Sequence, residues 1–208
     1  MFEGKSIWDI FAMGGATMYA LLVCSAISLA VILERIVEYT KKSRLLRESF
    51  MKEIKELAER DNLEGAKAIC AKRKEPIAAV VFAGLKNARY NEKIIMNTME
   101  REIMIETVKL ERYTSIVGTI GNIAVYVGLF GTVLGIIRSF HNISQIGSGG
   151  ISTIISGVAE SLICTATGLA VAIPSVVAYN YFTKRIDNFI TEMEYVSSET
   201  LDILTAGR

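Results

Sequence analysis

Among the polar side chains that stand in stretches of this chain otherwise suited to lipid, Thr132, Glu160 and Thr165 are the ones whose chemistry could carry a proton path. A threonine hydroxyl donates and accepts at once, so two that face each other can pass a hydrogen-bond chain along. Thr132 and Thr165 are the candidates for such a relay. The plainer reading stands beside it, because a lone membrane threonine commonly bonds the carbonyl one turn back. Glu160 is the costlier choice, since an acid near mid-bilayer costs about 2.5–3.5 kcal/mol on insertion scales. It precedes Thr165 by about 7–8 Å along a helix axis. Two readings fit that depth, an interfacial acid with a wet head group or an acid at the outer mouth of a polar path. Pro174 removes a backbone donor and frees the carbonyl of Ala170, which makes either a kink or a hinge. No Asp, Glu, His or Lys lies at mid-depth of any apolar stretch. If protons cross here, the acid that carries them must come from another polypeptide.

The elements that hold these residues follow from the distribution of charge. The chain has 208 residues, 51% hydrophobic and 22% charged, with a formal net charge of +1. Residues 16–33, 115–137 and 161–177 contain no Asp, Glu, Lys or Arg, and each approaches or exceeds the roughly 18 residues needed to cross a bilayer. The fold class is therefore all-α: an integral membrane protein with three transmembrane helices extended into a cytoplasmic helical bundle. Arg35, Lys41, Lys42, Arg44 and Arg47 follow the first span, and Lys184 and Arg185 follow the third, whereas the opposite ends offer only Lys5 and Arg138. The positive-inside rule places the N-terminus and the short loop between spans two and three outside, and the long middle segment and the C-terminus in the cytoplasm.

The expected division is 1–15, a periplasmic interfacial helix anchored by Trp8; 16–34, the first transmembrane helix; 35–114, a cytoplasmic helical domain; 115–138, the second transmembrane helix; 139–156, a short periplasmic loop; 157–182, the third transmembrane helix; and 183–208, a cytoplasmic C-terminal helix. Without Gly or Pro between Ala16 and Arg60, the first span is expected to run on as a helix. Asp61, Asn62 and Asn91 read as caps and Pro76 as a helix start. The helix after Asn91 meets no breaker before Gly118, and if it continues to Ile137 it reaches roughly 69 Å at the usual rise. Ile186, Phe189, Ile190, Met193 and Val196 form a stripe suited to a neighbouring helix.

Small residues crowd spans two and three. Gly128, Gly131 and Gly135 share span two, where Gly131 and Gly135 have the spacing that lets helix backbones approach closely. In span three Gly157, Ser161, Thr165, Gly168 and Ala172 fall on one narrow arc. Either this face packs helices together, or it lines a path or a partner surface. Cys24, Cys70 and Cys164 have no metal-ligand or disulfide spacing, and His141 is the only histidine. No cofactor, metal or nucleic-acid partner is expected, and no arrangement of nucleophile and base points to an enzyme. The GSGG at residues 147–150 lacks the Lys and Ser/Thr of a phosphate-binding loop and reads as a turn.

GLFGTVLGIIRSF at residues 128–140 and GVAESLICTATGLAVAIPSVVAYNYF at 157–182 closely resemble the signature of the ExbB/TolQ/MotA proton-channel family. Length, three spans and the large cytoplasmic segment resemble its ExbB and TolQ branches most, ExbB first. The resemblance implies a homopentamer around a pore occupied by the single-span helices of a dimeric ExbD- or TolR-like partner, which supplies a membrane Asp. It places the pore threonines on Thr132 and Thr165 and the pore-facing acid on Glu160. The cytoplasmic pore mouth falls on Tyr179, Asn180 and Lys184. The implied function is that of an inner-membrane motor driven by protons, the transported ion. With a TonB-like energy-transducing protein it powers outer-membrane transport, or, as a TolQ-like subunit, it supports envelope integrity. A purely structural membrane scaffold is the alternative from another class.

Overall fold

A computed structural model describes residues 15–43, 45–146 and 150–206. The described residues form seven helices and no strand: α1 (Gly15–Lys42), α2 (Arg47–Glu59), α3 (Leu63–Ala71), α4 (Pro76–Lys86), α5 (Glu92–Glu111), α6 (Thr114–Ile146) and α7 (Gly150–Thr205). Three of them, α1, α6 and α7, carry stretches long and apolar enough to span a membrane. The chain is thus an all-α membrane protein. The N-terminal interfacial helix anchored by Trp8 lies outside the described residues, as does most of the GSGG turn.

The helices divide into two units, one comprising the chain up to Leu33 with Tyr113–Asn180, the other Glu34–Arg112 with Tyr181–Arg208. In the first unit α1, α6 and α7 meet at Leu21, Ala124 and Ala172, flanked by Val125, Val127 and Val171. Most large side chains of this unit point away from that seam, Tyr126, Phe130, Ile173 and Val177 among them. Such faces suit lipid or other protein, because the chain by itself leaves them uncovered.

The second unit buries a conventional core. Phe50, Met51 and Ile54 of α2, Val80, Val81 and Leu85 of α4, and Ile95, Met99 and Leu110 of α5 are all buried. From α7 come Phe182, Ile186, Phe189, Met193 and Val196, so the expected stripe faces inward, with Ile190 half-buried at its edge. Each such side chain contributes about 1.5–3 kcal/mol relative to exposure. Tyr39 packs edge-on against Phe182 at 5.5 Å between ring centroids. Two of the three expected caps form: Asn62 Oδ1 accepts from the Gly65 amide and Asn91 Oδ1 from the Ile94 amide, both at 2.9 Å, whereas Asp61 takes a left-handed turn conformation with φ 55° just before the Asn62 cap. Pro76 occupies the first turn of α4, where its missing N–H costs nothing.

Three expectations about helix continuity are corrected. The first helix does run on past its charge-free stretch, but only to Lys42, and α2 starts afresh at Arg47 behind an extended Leu46 that makes no side-chain cap. The helix that starts after Asn91 does not continue to Ile137 but breaks at Arg112 and Tyr113. Arg112 is extended, and Tyr113 takes a left-handed conformation with φ 67°. A tertiary contact accompanies the break. The carbonyl of Leu110, one of those a helix terminus leaves without an internal partner, accepts the Tyr39 hydroxyl at 2.8 Å. Finally, helical backbone covers much of the expected 139–156 loop, because α6 continues to Ile146 and α7 already begins at Gly150.

Candidate functional site

Glycines allow α6 and α7 to touch along their backbones. A Cβ on Gly128 would lie 2.7 Å from the Cys164 carbonyl oxygen and 3.2 Å from the Thr165 Cα. One on Gly168 would lie 2.6 Å from the Ala124 carbonyl oxygen and 3.0 Å from the Gly128 Cα. Gly131 faces Thr17 and Cys164, Gly135 faces Ser161, and Gly157 faces Ser139. The small-residue arc of span three is therefore turned to α6 of the same chain, and close packing is its geometry within one subunit.

That approach brings the two threonines together. Thr132 Oγ1 and Thr165 Oγ1 are 2.5 Å apart. Thr132 Oγ1 also lies 3.2 Å from the Gly128 carbonyl and 3.1 Å from the Ser161 carbonyl, while Thr165 Oγ1 lies 3.4 Å from the Gly128 carbonyl. Each hydroxyl has one proton, so the group has two self-consistent states. In one, Thr165 donates to Thr132 and Thr132 donates to a carbonyl; in the other, Thr132 donates to Thr165 and Thr165 donates to Gly128. Reversing both rotors moves donor character from one hydroxyl to the other without breaking the chain. Thr132 is only 7% exposed, whereas Thr165 is half-buried and forms the more accessible end. Thr167, two residues on, simply donates back to the Ile163 carbonyl at 2.8 Å.

Glu160 occupies a different place along the same seam. It lines a cavity of about 360 Å³ together with Thr17, Gly135, Arg138, Asn142 and Ser156. The Ser156 hydroxyl donates to its Oε1 at 3.4 Å. The cavity also touches Gly131, Gly157 and Ser161, so Gly128, Gly131, Gly135, Gly157, Ser161 and Gly168 all lie on the α6–α7 seam or on this cavity. Tyr179 covers Gly118, with ring carbons 2.9 Å from where a Cβ would stand. Asn180 is exposed at the end of the first unit, and Lys184, exposed, belongs to the second.

Sequence reasoning missed two contributors. Ser28 Oγ of α1 and Ser175 Oγ of α7 are 2.7 Å apart and buried, and Ser175 also donates to the Val171 carbonyl at 2.8 Å. Their positions are 147 residues apart, so no spacing rule links them; the only signal was a hydroxyl in each apolar stretch. Arg138, counted only as a loop charge, sits in the Glu160 cavity. Among the described residues no cluster of His, Cys, Asp and Glu is arranged to hold a metal ion.

Three apolar helices joined by a glycine seam, with a threonine pair inside it, define a polytopic membrane protein built around buried hydroxyls. The chain belongs to the MotA/TolQ/ExbB proton channel family, whose model matches residues 72–195. It is 32% identical to the biopolymer transport protein ExbB of Salmonella typhimurium, over 94% of this chain and 85% of that protein. It is 33% identical to the Tol-Pal system protein TolQ of Haemophilus influenzae, over 83% of each. A shorter stretch, 46% of this chain and 42% of that protein, is 42% identical to TolQ of Pseudomonas aeruginosa. The family that the 128–140 and 157–182 motifs resembled is thus the family to which the chain belongs.

Proposed function

We propose that this chain is the ExbB-like subunit of an inner-membrane motor driven by the proton-motive force, and that with an ExbD-like partner it energises TonB-dependent outer-membrane transport. The observation that carries the reading is the Thr132–Thr165 hydroxyl pair, 2.5 Å apart, in two spans without a mid-depth acid or base. The pair can relay a proton but cannot store one, because neither hydroxyl titrates in the physiological range. The storing group is an Asp on the single-span helix of the partner dimer, held within a homopentamer of this chain. Protons approach from the periplasm by way of Glu160, pass the threonines, and neutralise that Asp. The partner helix, relieved of its need for a polar neighbour, then moves against the ring. A proton crossing supplies about 2.3 kcal/mol per 100 mV of potential. Tyr179, Asn180 and Lys184 form the cytoplasmic exit, with the N-terminus periplasmic and the C-terminus cytoplasmic. A TolQ-like motor for envelope integrity is the second reading, favoured by the 42% identity to the Pseudomonas aeruginosa protein over nearly half of this chain.

The test is Thr132→Val and Thr165→Val, which keep shape and remove the hydroxyl, with Thr→Ser at each as the conservative partner. Expressed with the partner subunit, the valine variants should assemble normally, lose at least tenfold in proton flux and in energy-dependent uptake, and be rescued by serine. Full flux and uptake in assembled valine variants would leave only the scaffold role.

A further inference from the structure

We infer that a groove of the second unit, between α1 and α7, binds the phosphate headgroup of an anionic phospholipid. The groove holds about 270 Å³ and is lined by Ile36, Tyr39, Thr40, Ser43, Tyr181 and Arg185. Its cation is built in rather than loose. Arg185 Nη2 donates to the Ser43 hydroxyl, and the guanidinium lies over the buried Phe189 ring at 5.0 Å from its centroid. No carboxylate of the described residues stands within ion-pair distance of Arg185. A guanidinium fixed from one side and lacking an acid partner is preorganised for a phosphate oxygen.

The hydroxyls of Ser43, Thr40 and Tyr181 line the same groove. Thr40 donates to the Ile36 carbonyl at 2.7 Å, which leaves its oxygen lone pairs and not its proton toward other partners. Tyr39 turns its hydroxyl to the Leu110 carbonyl and presents its ring as the floor. The surrounding charge favours an anion. Lys41 and Lys184 are exposed beside the groove in sequence, and Lys42 is paired with Glu38 at 3.2 Å. Glu38 and Asp187 are the acids closest in sequence on the two helices.

Two further features select a lipid over a free anion. The Ile36 side chain and the Tyr181 ring give the wall exposed apolar surface, Tyr181 being 58% exposed. Each of the two helices also leads to the groove from a charge-free stretch, residues 16–33 and 161–177, with the mutually paired Glu34 and Arg35 between the first stretch and Ile36. A phosphate held there sits where acyl chains end and basic residues begin, the level at which basic side chains meet anionic headgroups.

The assembled protein, extracted in detergent and stripped of lipid, is titrated with phosphatidylglycerol and with phosphatidylcholine by native mass spectrometry. Arg185→Gln should weaken phosphatidylglycerol about tenfold, the loss of one charge-assisted contact. Lys52→Gln, which removes an equal charge from an exposed position of α2, should leave it unchanged, and inorganic phosphate at millimolar concentration should not displace the lipid. Equal losses in Arg185→Gln and Lys52→Gln would overturn the site as diffuse surface charge. Displacement by inorganic phosphate would overturn the lipid assignment. If Arg185→Gln does not assemble, Ser43→Ala reads the same groove: a severalfold loss supports it, and no change overturns it.

Discussion

The backbone contact at Gly128 makes a graded prediction. In Gly128→Ala the new methyl would stand 2.7 Å from the Cys164 carbonyl oxygen, against an ordinary contact of 3.4 Å or more. The neighbours are backbone atoms and cannot rotate away, so α6 and α7 must part locally by about 0.7 Å, the difference between those two distances. A displacement of that size would carry the Thr165 Oγ1 to Gly128 carbonyl distance from 3.4 Å to roughly 4.1 Å, beyond hydrogen bonding. Overpacking of this kind costs about 1–3 kcal/mol, and the helix preference for Ala over Gly returns about 1 kcal/mol at most. Gly131→Ala is the internal comparison. There the methyl meets the Thr17 hydroxyl and the Cys164 side chain at 2.6 and 2.9 Å, and side chains can shift. Thermal unfolding of the purified assembly should rank wild type above Gly131→Ala and Gly131→Ala above Gly128→Ala, the last about 1–2 kcal/mol below wild type. Proton flux should fall in Gly128→Ala more than in Gly131→Ala, since only the former stretches the threonine group. Gly128→Ala as stable as Gly131→Ala, or more so, would refute the backbone-contact argument.

Three other outcomes follow from named contacts. Ser28→Ala and Ser175→Ala, taken singly and together in a double-mutant cycle of thermal stability, should show a coupling of about 1 kcal/mol, because each leaves the other hydroxyl without its cross-helix partner. Burial pushes the Cys70 thiol up to about 12, so it should resist maleimide at pH 8 until the protein unfolds. Between the unfolded thiol range, about 8.5, and the folded value the unfolded chain has lost a proton that the folded chain keeps. Stability should therefore fall with rising pH in that window, less steeply in Cys70→Ala. Lys109→Met strips the partner from the buried Glu106 carboxylate, 2.5 Å away and 8% exposed. Lys109 is itself 55% exposed, so the expected loss of stability, about 1–2 kcal/mol by denaturant titration, is smaller than for a fully buried pair. Glu106 raises the Lys109 ammonium above its ordinary range; the contribution is therefore complete below the unfolded lysine value and lost as pH rises through the folded one.

The legible part of the site was the part written in one-dimensional pattern. Charge-free windows gave the spans, and the glycine and serine spacing gave one packed face on α7. Motif resemblance picked Thr132 and Thr165. What spacing left open was which way that face turned. The structure directs it toward α6 of the same chain, because Gly128 and Gly168 abut each other's backbones. The breaks after Lys42 and at Tyr113 were not legible either, since neither site carries Gly or Pro.

The sequence alone determined that this chain crosses a membrane with three helices and keeps hydroxyls where it keeps no acid. Those facts depend on the solvation cost of each residue in lipid, which is paid locally. The tertiary structure decided that Thr132 meets Thr165, that Ser28 meets Ser175, and that a helix ends where Tyr39 takes the Leu110 carbonyl. These are contacts between positions 33, 147 and 71 residues apart. A hydrogen bond at such separation exists only once the packing of whole helices has brought its two ends together.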